Sequence, residues 1–470
     1  MVIIATEFVK LLAGQGFNFT PIPLVDAGST TPANQFYRIF LLKTTYMRNL
    51  LLVVFILCSY FVSAQLTAIK CGKLIDGKNE VALLNKAILI EGNMIKDIVE
   101  QTAIPRNATI IDLSNKTVLP GLIDCHTHVL LQGDITAEDY DVQLLKESIP
   151  YRTLRATVAC KIALMNGFTT IRDLETEGAM YADVDLKKAI NNKVIPGPRM
   201  FVATRAINTT GHYAIGNSEY SWELHMPKGI QEITGADEAR KAVREQISYG
   251  ADWIKIYADR SYYRLPDSSF RSRVNFTREE IEAIADETTR SGKFLASHAV
   301  TRDGIIYSLN AGARTIEHGF AMDDECMDLM VQKNAYWCPT ATVIDFVAEG
   351  RAKAGNPINA QMLRALPAIF KKALQKGVKI AFGTDAGGFD WQQVPQAREF
   401  SFYVQWGMTP MQAIKSATTV AAALLNKKGL LGEISMGAMA DIIAVDGDPL
   451  QNIKLLETVS FVMKDGKVVK

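Results

Sequence analysis

Histidine is scarce in this chain, and two of its six histidines, His126 and His128, stand one residue apart at the end of the run VLPGLIDCHTHV. In an extended strand alternate side chains share a face, so both imidazoles point one way while Cys125 and Thr127 point the other. Two imidazoles side by side form a pincer for a divalent metal, although a surface pair at this spacing can equally be inert. The other histidines are His212, His225, His298 and His318. His298 closes the apolar segment KFLASHA, His318 lies in RTIEHGF, and Asp385 lies in VKIAFGTDA. All of these stand near the C-terminal end of a strand-like segment, where a parallel barrel collects its catalytic groups. Ordinary core histidines would not gather with an aspartate at one rim.

The segment ADWIKIYAD adds a lysine to the set. Trp253, Lys255 and Tyr257 share one face, whereas Ile254 and Ile256 cover the other. Lys255 is therefore expected to point inward. A buried ammonium is costly to desolvate and has no lone pair to give a metal. The neutral amine can take up carbon dioxide and become a carbamate, an anion able to bridge two cations. The alternative is an ion pair with a buried carboxylate such as Asp385 or Asp124.

Strand-like segments alternate with helical patterns through the middle of the chain. They are residues 122 to 126, then FTTIRDL, RMFVATRA, DWIKIYA, KFLASHA, RTIEHGF, AYWCPT and VKIAFGTDA. Thr277 with Glu280 makes a capping box before IEAIADETT, and Thr409-Pro410 opens the helical run MQAIKSATTVAAALL. This order predicts an α/β fold, a closed (β/α)8 TIM-type barrel over residues 119–424. Residues 65–118 and 425–470 are β-rich instead, with hairpin turns at Gly92-Asn93 and Asp465-Gly466. These two ends are predicted to meet in one small composite β-sandwich beside the barrel.

Composition excludes several classes of function. With 470 residues, 48% apolar and 21% charged, the chain can bury a large core with a smaller satellite. Its 51 basic and 50 acidic residues leave a formal charge of +1 with no long basic run, which argues against nucleic acid as a partner. Beyond Ala64 the cysteines Cys71, Cys125, Cys160, Cys326 and Cys338 are odd in number and lack C-x-x-C spacing, so neither a disulfide framework nor a zinc ribbon is expected. Cys125 reads as a packing residue. The stretch MRNLLLVVFILCSYFVSAQ stands apart, because Met47-Arg48, an apolar run and Val62-Ser63-Ala64 have the layout of a secretory signal peptide over residues 47–64. Its apolar run is shorter than the roughly 20 residues that span a bilayer, so no stable membrane span is expected once it is removed. A buried N-terminal helix is the competing reading. Leu57, bulky before Cys58, argues against lipid attachment. Residues 1–46 then read as an upstream extension without a role in the fold, and the protein as exported to the periplasm or secreted.

Taken together, the H-x-H pair, Lys255, His298, His318 and Asp385 resemble the ligand set of the amidohydrolase superfamily of metal-dependent barrel hydrolases. The segments LPGLIDCHTHV, GFTTIRDL, IPGPRM, IEHG and GTDAG resemble its imidazolonepropionase-like and Xaa-Pro dipeptidase-like (prolidase-like) branch, from about residue 66 to the C-terminus. The resemblance implies that His126, His128 and Asp385 hold one divalent metal, that His298 and His318 hold a second, and that carboxylated Lys255 bridges them. Zinc is the default for such ligands, with manganese, iron or cobalt compatible. It implies amide cleavage by a water activated between the cations, Asp385 taking its proton and passing it to the departing nitrogen.

The likeness thins at the substrate. His212, in NTTGHYAIG, resembles a loop histidine that binds or polarises substrate, but its neighbours differ from the family's G-G-H-G. The branch's H-A-Y reads His298-Ala299-Val300 here, and valine cannot contact a terminal acid as the tyrosine does. After the fourth strand come Arg260, Tyr262, Tyr263 and Arg264, of which Arg260 and Arg264, with Tyr257 before them, are candidates to grip a substrate carboxylate. His225 has no partner in the pattern and reads as structural. The expected partner is a small molecule, a dipeptide or N-acyl amino acid, and a homo-oligomer is compatible with the sequence. A cyclic amide or lactone would suit the same chemistry. A silent binding relative would be expected to have lost ligands that this chain keeps.

The signal reading predicts a mature chain that begins at Gln65, which N-terminal sequencing of the native protein checks. A mature protein still carrying residues 1–46 would contradict it.

Overall fold

The computed structural model describes residues 66–212 and 221–470, so the signal segment 47–64 and the upstream extension lie outside the described residues. All eight expected core strands form. They are β1 Leu122–Thr127, β2 Phe168–Asp173, β3 Arg199–Val202, β4 Trp253–Tyr257, β5 Phe294–Thr301, β6 Thr315–Ala321, β7 Tyr336–Cys338 and β8 Lys379–Ile380. Where these strands pair with one another, the pairing is parallel. As the sequence pattern requires, Ile254 and Ile256 of β4 face the helix layer, in one apolar cluster with Ile281 and Ile284 of the following helix.

The ladders do not run as one closed ring, which corrects the sequence expectation. They form a three-stranded sheet, β1-β2-β3, and a seven-stranded sheet in which β4 to β8 are joined by Ile207–Thr209 and Gln231–Ile233. The regular pairing gives way beside the candidate ligands. The β1 register shifts between Asp124 and Thr127, and the backbone after β8 turns left-handed at Asp385 (φ 61°). Single main-chain hydrogen bonds still cross the gaps, from Cys125 N to Phe382 O (2.9 Å), Asp385 N to His126 O (2.8 Å) and Asp252 N to Val202 O (2.8 Å).

Two insertions of detail escaped the sequence pattern. The run after Thr409 is two helices, Pro410–Ser416 and Thr419–Leu424. It breaks because the carbonyls of Ser416 and Ala417 accept from Phe382 N (3.0 Å) and Ile123 N (2.8 Å), turning the helix end into a clasp on the first and eighth strand segments. After β4 an antiparallel hairpin, Asp259–Arg264 with Phe270–Val274, precedes the helix Arg278–Arg290, whose Thr277/Glu280 capping box forms as expected. Buried Asp259 fastens this hairpin to the end of β5. Its carboxylate accepts from Val300 N (3.0 Å), Thr301 N (3.1 Å) and Ser272 Oγ (2.8 Å).

The two chain ends share one eight-stranded sheet. Strand Thr109–Pro120 runs parallel to Leu66–Leu74 and antiparallel to Ile442–Val445, so the C-terminal strands extend a sheet begun at the N-terminal side. Both expected hairpins are present, and positive φ at Asp465 (50°) and Gly466 (72°) suits the tight turn between them. Among the described residues no helix is long and apolar enough to cross a membrane.

Candidate metal centre

The strand ends bring the singled-out ligands together. His126 Nε2 and His128 Nε2 are 3.2 Å apart, and Asp385 Oδ1 lies 3.5 Å from the first and 3.0 Å from the second. His126, His318 and Asp385 offer ligand atoms within 4.8 Å of one another. The His318 ring is centred 5.0 Å from that of His126 and 4.4 Å from that of His298. Lys255 is 1% exposed and lines the same cavity.

Every one of these imidazoles has one nitrogen engaged away from the cluster. His126 Nδ1 donates to Glu317 Oε2 (2.9 Å), and His128 Nδ1 donates to the Glu175 carbonyl (3.3 Å). His318 Nδ1 pairs with the Thr340 hydroxyl (2.8 Å), and His298 Nε2 with the Tyr262 hydroxyl (2.6 Å). Such outer partners fix the ring and the tautomer, and leave the second nitrogen to a metal. Glu317 is itself buried. Burial alone would raise its pKa, but Arg172 and His126 hold the carboxyl well below the usual carboxylate range, so it stays an acceptor.

Electrostatics favour the ligand forms. Burial, helped by the Lys255 charge, lowers His126 to about 4, and burial pushes His298 and His318 well below the ordinary imidazole value. Burial also lowers the Lys255 ammonium. His128 goes the other way: burial would depress it, but its hydrogen bond to Asp385 raises it to about 10. Two ring nitrogens and a carboxylate oxygen converging this closely need a shared cation, whether a proton or a metal. Neutral imidazoles with an ionised aspartate are a donor set suited to a divalent metal.

The ion-pair alternative for Lys255 is not formed. Among the described residues no carboxylate lies within ion-pair distance of its amine, which sits 5.4 Å from the Tyr257 ring centre. Asp124 is committed elsewhere, accepting from Thr384 Oγ1 (2.6 Å), Gln396 Nε2 (2.7 Å) and His126 N (3.0 Å).

A cavity of about 650 Å³ opens over the centre, lined by His212, Tyr257, Arg260 and Val300 among others. His212 is held by Asn275 (Nδ1 to Oδ1, 3.1 Å), and Asn275 in turn donates to the Tyr257 carbonyl. The Arg260 guanidinium lies 5.0 Å from the Tyr257 ring centre. Arg264 is not brought to the cavity. It is exposed, with Nε donating to Ser268 O (3.4 Å) along its own hairpin. His225 lies exposed in a loop. Cys125 packs in an apolar cluster with Ile123 and Cys338.

Sequence reasoning missed Arg172, Glu317, Glu175 and Thr340. Glu317 was the hardest to foresee, because strand alternation sets it opposite His318. His318 has φ 71°, however, so the alternation is broken there, and Glu317 and His318 both reach the cluster. An arginine inside a wholly buried strand, Arg172 in β2, was the available signal.

Parallel strands with metal-type ligands at their C-terminal ends define a metal-dependent hydrolase of the barrel type. The amidohydrolase family model matches residues 117–469. Ochratoxinase of Aspergillus niger is 30% identical over 436 residues, covering 87% of this chain and 87% of the relative. Imidazolonepropionase of Streptomyces griseus is 24% identical, covering 77% of this chain and 85% of the relative. A crystal structure of a Xaa-Pro dipeptidase with methionine in its active site is 35% identical, covers 86% of this chain and all of that one, and superimposes with a TM-score of 0.77. The chain belongs to the amidohydrolase family. It is a metal-dependent amidohydrolase acting on carbon–nitrogen bonds.

Gly387, in the GTDAG segment, has φ 112°, and a Cβ there would stand 2.2 Å from His128 O. Gly387→Ala should therefore displace His128, costing more than the ~1–2 kcal/mol of a left-handed backbone alone. Gly292→Ala, at φ 67° with nothing within 4 Å, isolates the conformational cost. Chemical denaturation of the two variants checks this, and equal stabilities would contradict the clash.

Proposed function

We propose that the protein is a binuclear hydrolase that cleaves the amide bonds of small anionic substrates such as dipeptides or N-acyl amino acids. What supports this most is that all four imidazoles have an outward partner around a buried lysine with no carboxylate in direct ion-pair contact among the described residues. His126, His128 and Asp385 would hold one divalent metal and His298 and His318 the other, with Lys255 carboxylated between them and zinc the default. When bound, the cations lower the pKa of a water to near neutrality and polarise the scissile carbonyl. Asp385 accepts the proton of the attacking water and returns it to the departing nitrogen, its low pKa keeping it ionised beforehand. His212 contacts the substrate near the scissile group, and Arg260 beside Tyr257 receives its carboxylate.

The same reading extends to the architecture. The two parallel sheets form the two arcs of an open TIM-type barrel over residues 119–424, flanked by a composite β-sandwich of residues 65–118 and 425–470. The protein is exported by the signal of residues 47–64. Second copies of the chain are compatible with this reading.

Purified protein should carry about two divalent ions per chain, measured by elemental analysis. Lys255→Ala should lose most activity and regain part of it with short carboxylic acids that stand in for the carbamate. A single tightly bound ion would refute the pair. Amidating the substrate's acid should lower kcat/KM about tenfold or more, as expected for a charge-assisted contact of roughly 1.5–3 kcal/mol. Arg260→Ala should erase that preference and Arg264→Ala should not. Equal turnover of acid and amide by the unaltered enzyme would favour a neutral cyclic substrate instead.

A further inference from the structure

We propose that Tyr262 is a positioning residue for His298 and thereby sets how tightly the His298 half of the centre holds its metal. This rests on the metal reading above. The Tyr262 hydroxyl is 2.6 Å from His298 Nε2, and the two rings lie nearly parallel, 23° apart. His298 also meets the Tyr257 ring, at 4.7 Å between centres. The imidazole thus has two phenol neighbours and a hydrogen bond to one of them. When the hydroxyl oxygen accepts from Nε2, the tautomer is fixed and the lone pair falls on Nδ1, the nitrogen left for the metal.

The source of this partner is unusual within the site. Glu317 and Thr340, the side-chain partners of His126 and His318, belong to β6 or follow β7 directly. Tyr262 arrives on the inserted hairpin instead. That hairpin is fixed from both strands: Asp259 bonds to the end of β5, and Arg271 makes two bonds to Asp303 (2.7 and 2.5 Å). The phenol is thus presented on a braced support rather than on a free loop. Its neighbour Tyr263 is 47% exposed and serves as a control on the same strand.

The test loads cobalt(II) into metal-free full-length protein, following binding by calorimetry and the visible absorption of the bound ion. Tyr262→Phe keeps the ring and deletes the hydroxyl. It should weaken one cobalt site by about 10- to 100-fold and shift its absorption band, while Tyr263→Phe should match the unaltered protein. A purely structural tyrosine would lower the melting temperature of the metal-free protein but leave affinity and spectrum unchanged, and that result overturns the proposal. His298→Ala separates the two levels of inference. If it loses one cobalt while Tyr262→Phe binds normally, the positioning role is wrong. If His298→Ala binds cobalt as the unaltered protein does, the metal reading itself fails and this inference with it.

Discussion

The buried carboxylate of Glu317 joins the barrel interior to the candidate centre. One oxygen accepts from Arg172 Nη2 (2.9 Å) and the other from His126 Nδ1 (2.9 Å), with all three side chains fully buried. Arg172 spreads the tie further, donating to the Cys125 carbonyl (2.6 Å) and to Thr315 Oγ1 (3.1 Å), and lying 4.5 Å from the Trp253 ring centre. Removing one member of such a pair would leave an uncompensated buried charge, worth roughly 3–5 kcal/mol. The same group that neutralises the interior arginine thus aims the first ligand, so interior packing and site geometry are coupled.

Around that tie the site is built from groups that burial keeps neutral and from one that burial does not. His126, His298, His318 and Lys255 are all pushed toward their uncharged forms, while Asp385 is held ionised against its own burial by the surrounding histidines. Neutral nitrogen donors facing one ionised oxygen make a cation-binding pocket by charge alone. His128 shows the competition, since its proton is retained against burial by Asp385, with help from Glu177. Metal uptake would displace that proton, which ties affinity to pH.

Over this centre the variable parts are loops, and they divide the work by position. The hairpin after β4 sends Tyr262 to His298 and Arg260 to the cavity, but turns Arg264 to solvent. The helix Ala341–Lys353 supplies apolar wall residues Val343, Ile344 and Val347, and buried Glu399 holds its start through Ala341 N (2.8 Å) and Thr342 N (2.7 Å). Thr340, immediately before that helix, reaches His318. Substrate wall and ligand orientation therefore share supports.

The identity of the ligands and the order of the strands were legible in the sequence because both follow from local rules. H-x-H on a strand must point one way, Lys255 must share a face with Trp253 and Tyr257, and apolar segments separated by helical patterns must pair in parallel. The family resemblance added the role of each ligand. What surrounds them was not legible. Glu317 reaches His126 across 191 residues and Tyr262 reaches His298 across 36, contacts that no periodicity encodes. The left-handed backbone at His318 and Asp385 breaks the very alternation used to assign faces, and the ring that eight alternations implied is open between β3 and β4 and between β8 and β1. Short-range spacing determined which residues could do the chemistry. Only the tertiary structure decided how each is aimed, because orientation depends on buried partners that the chain brings together only when it folds.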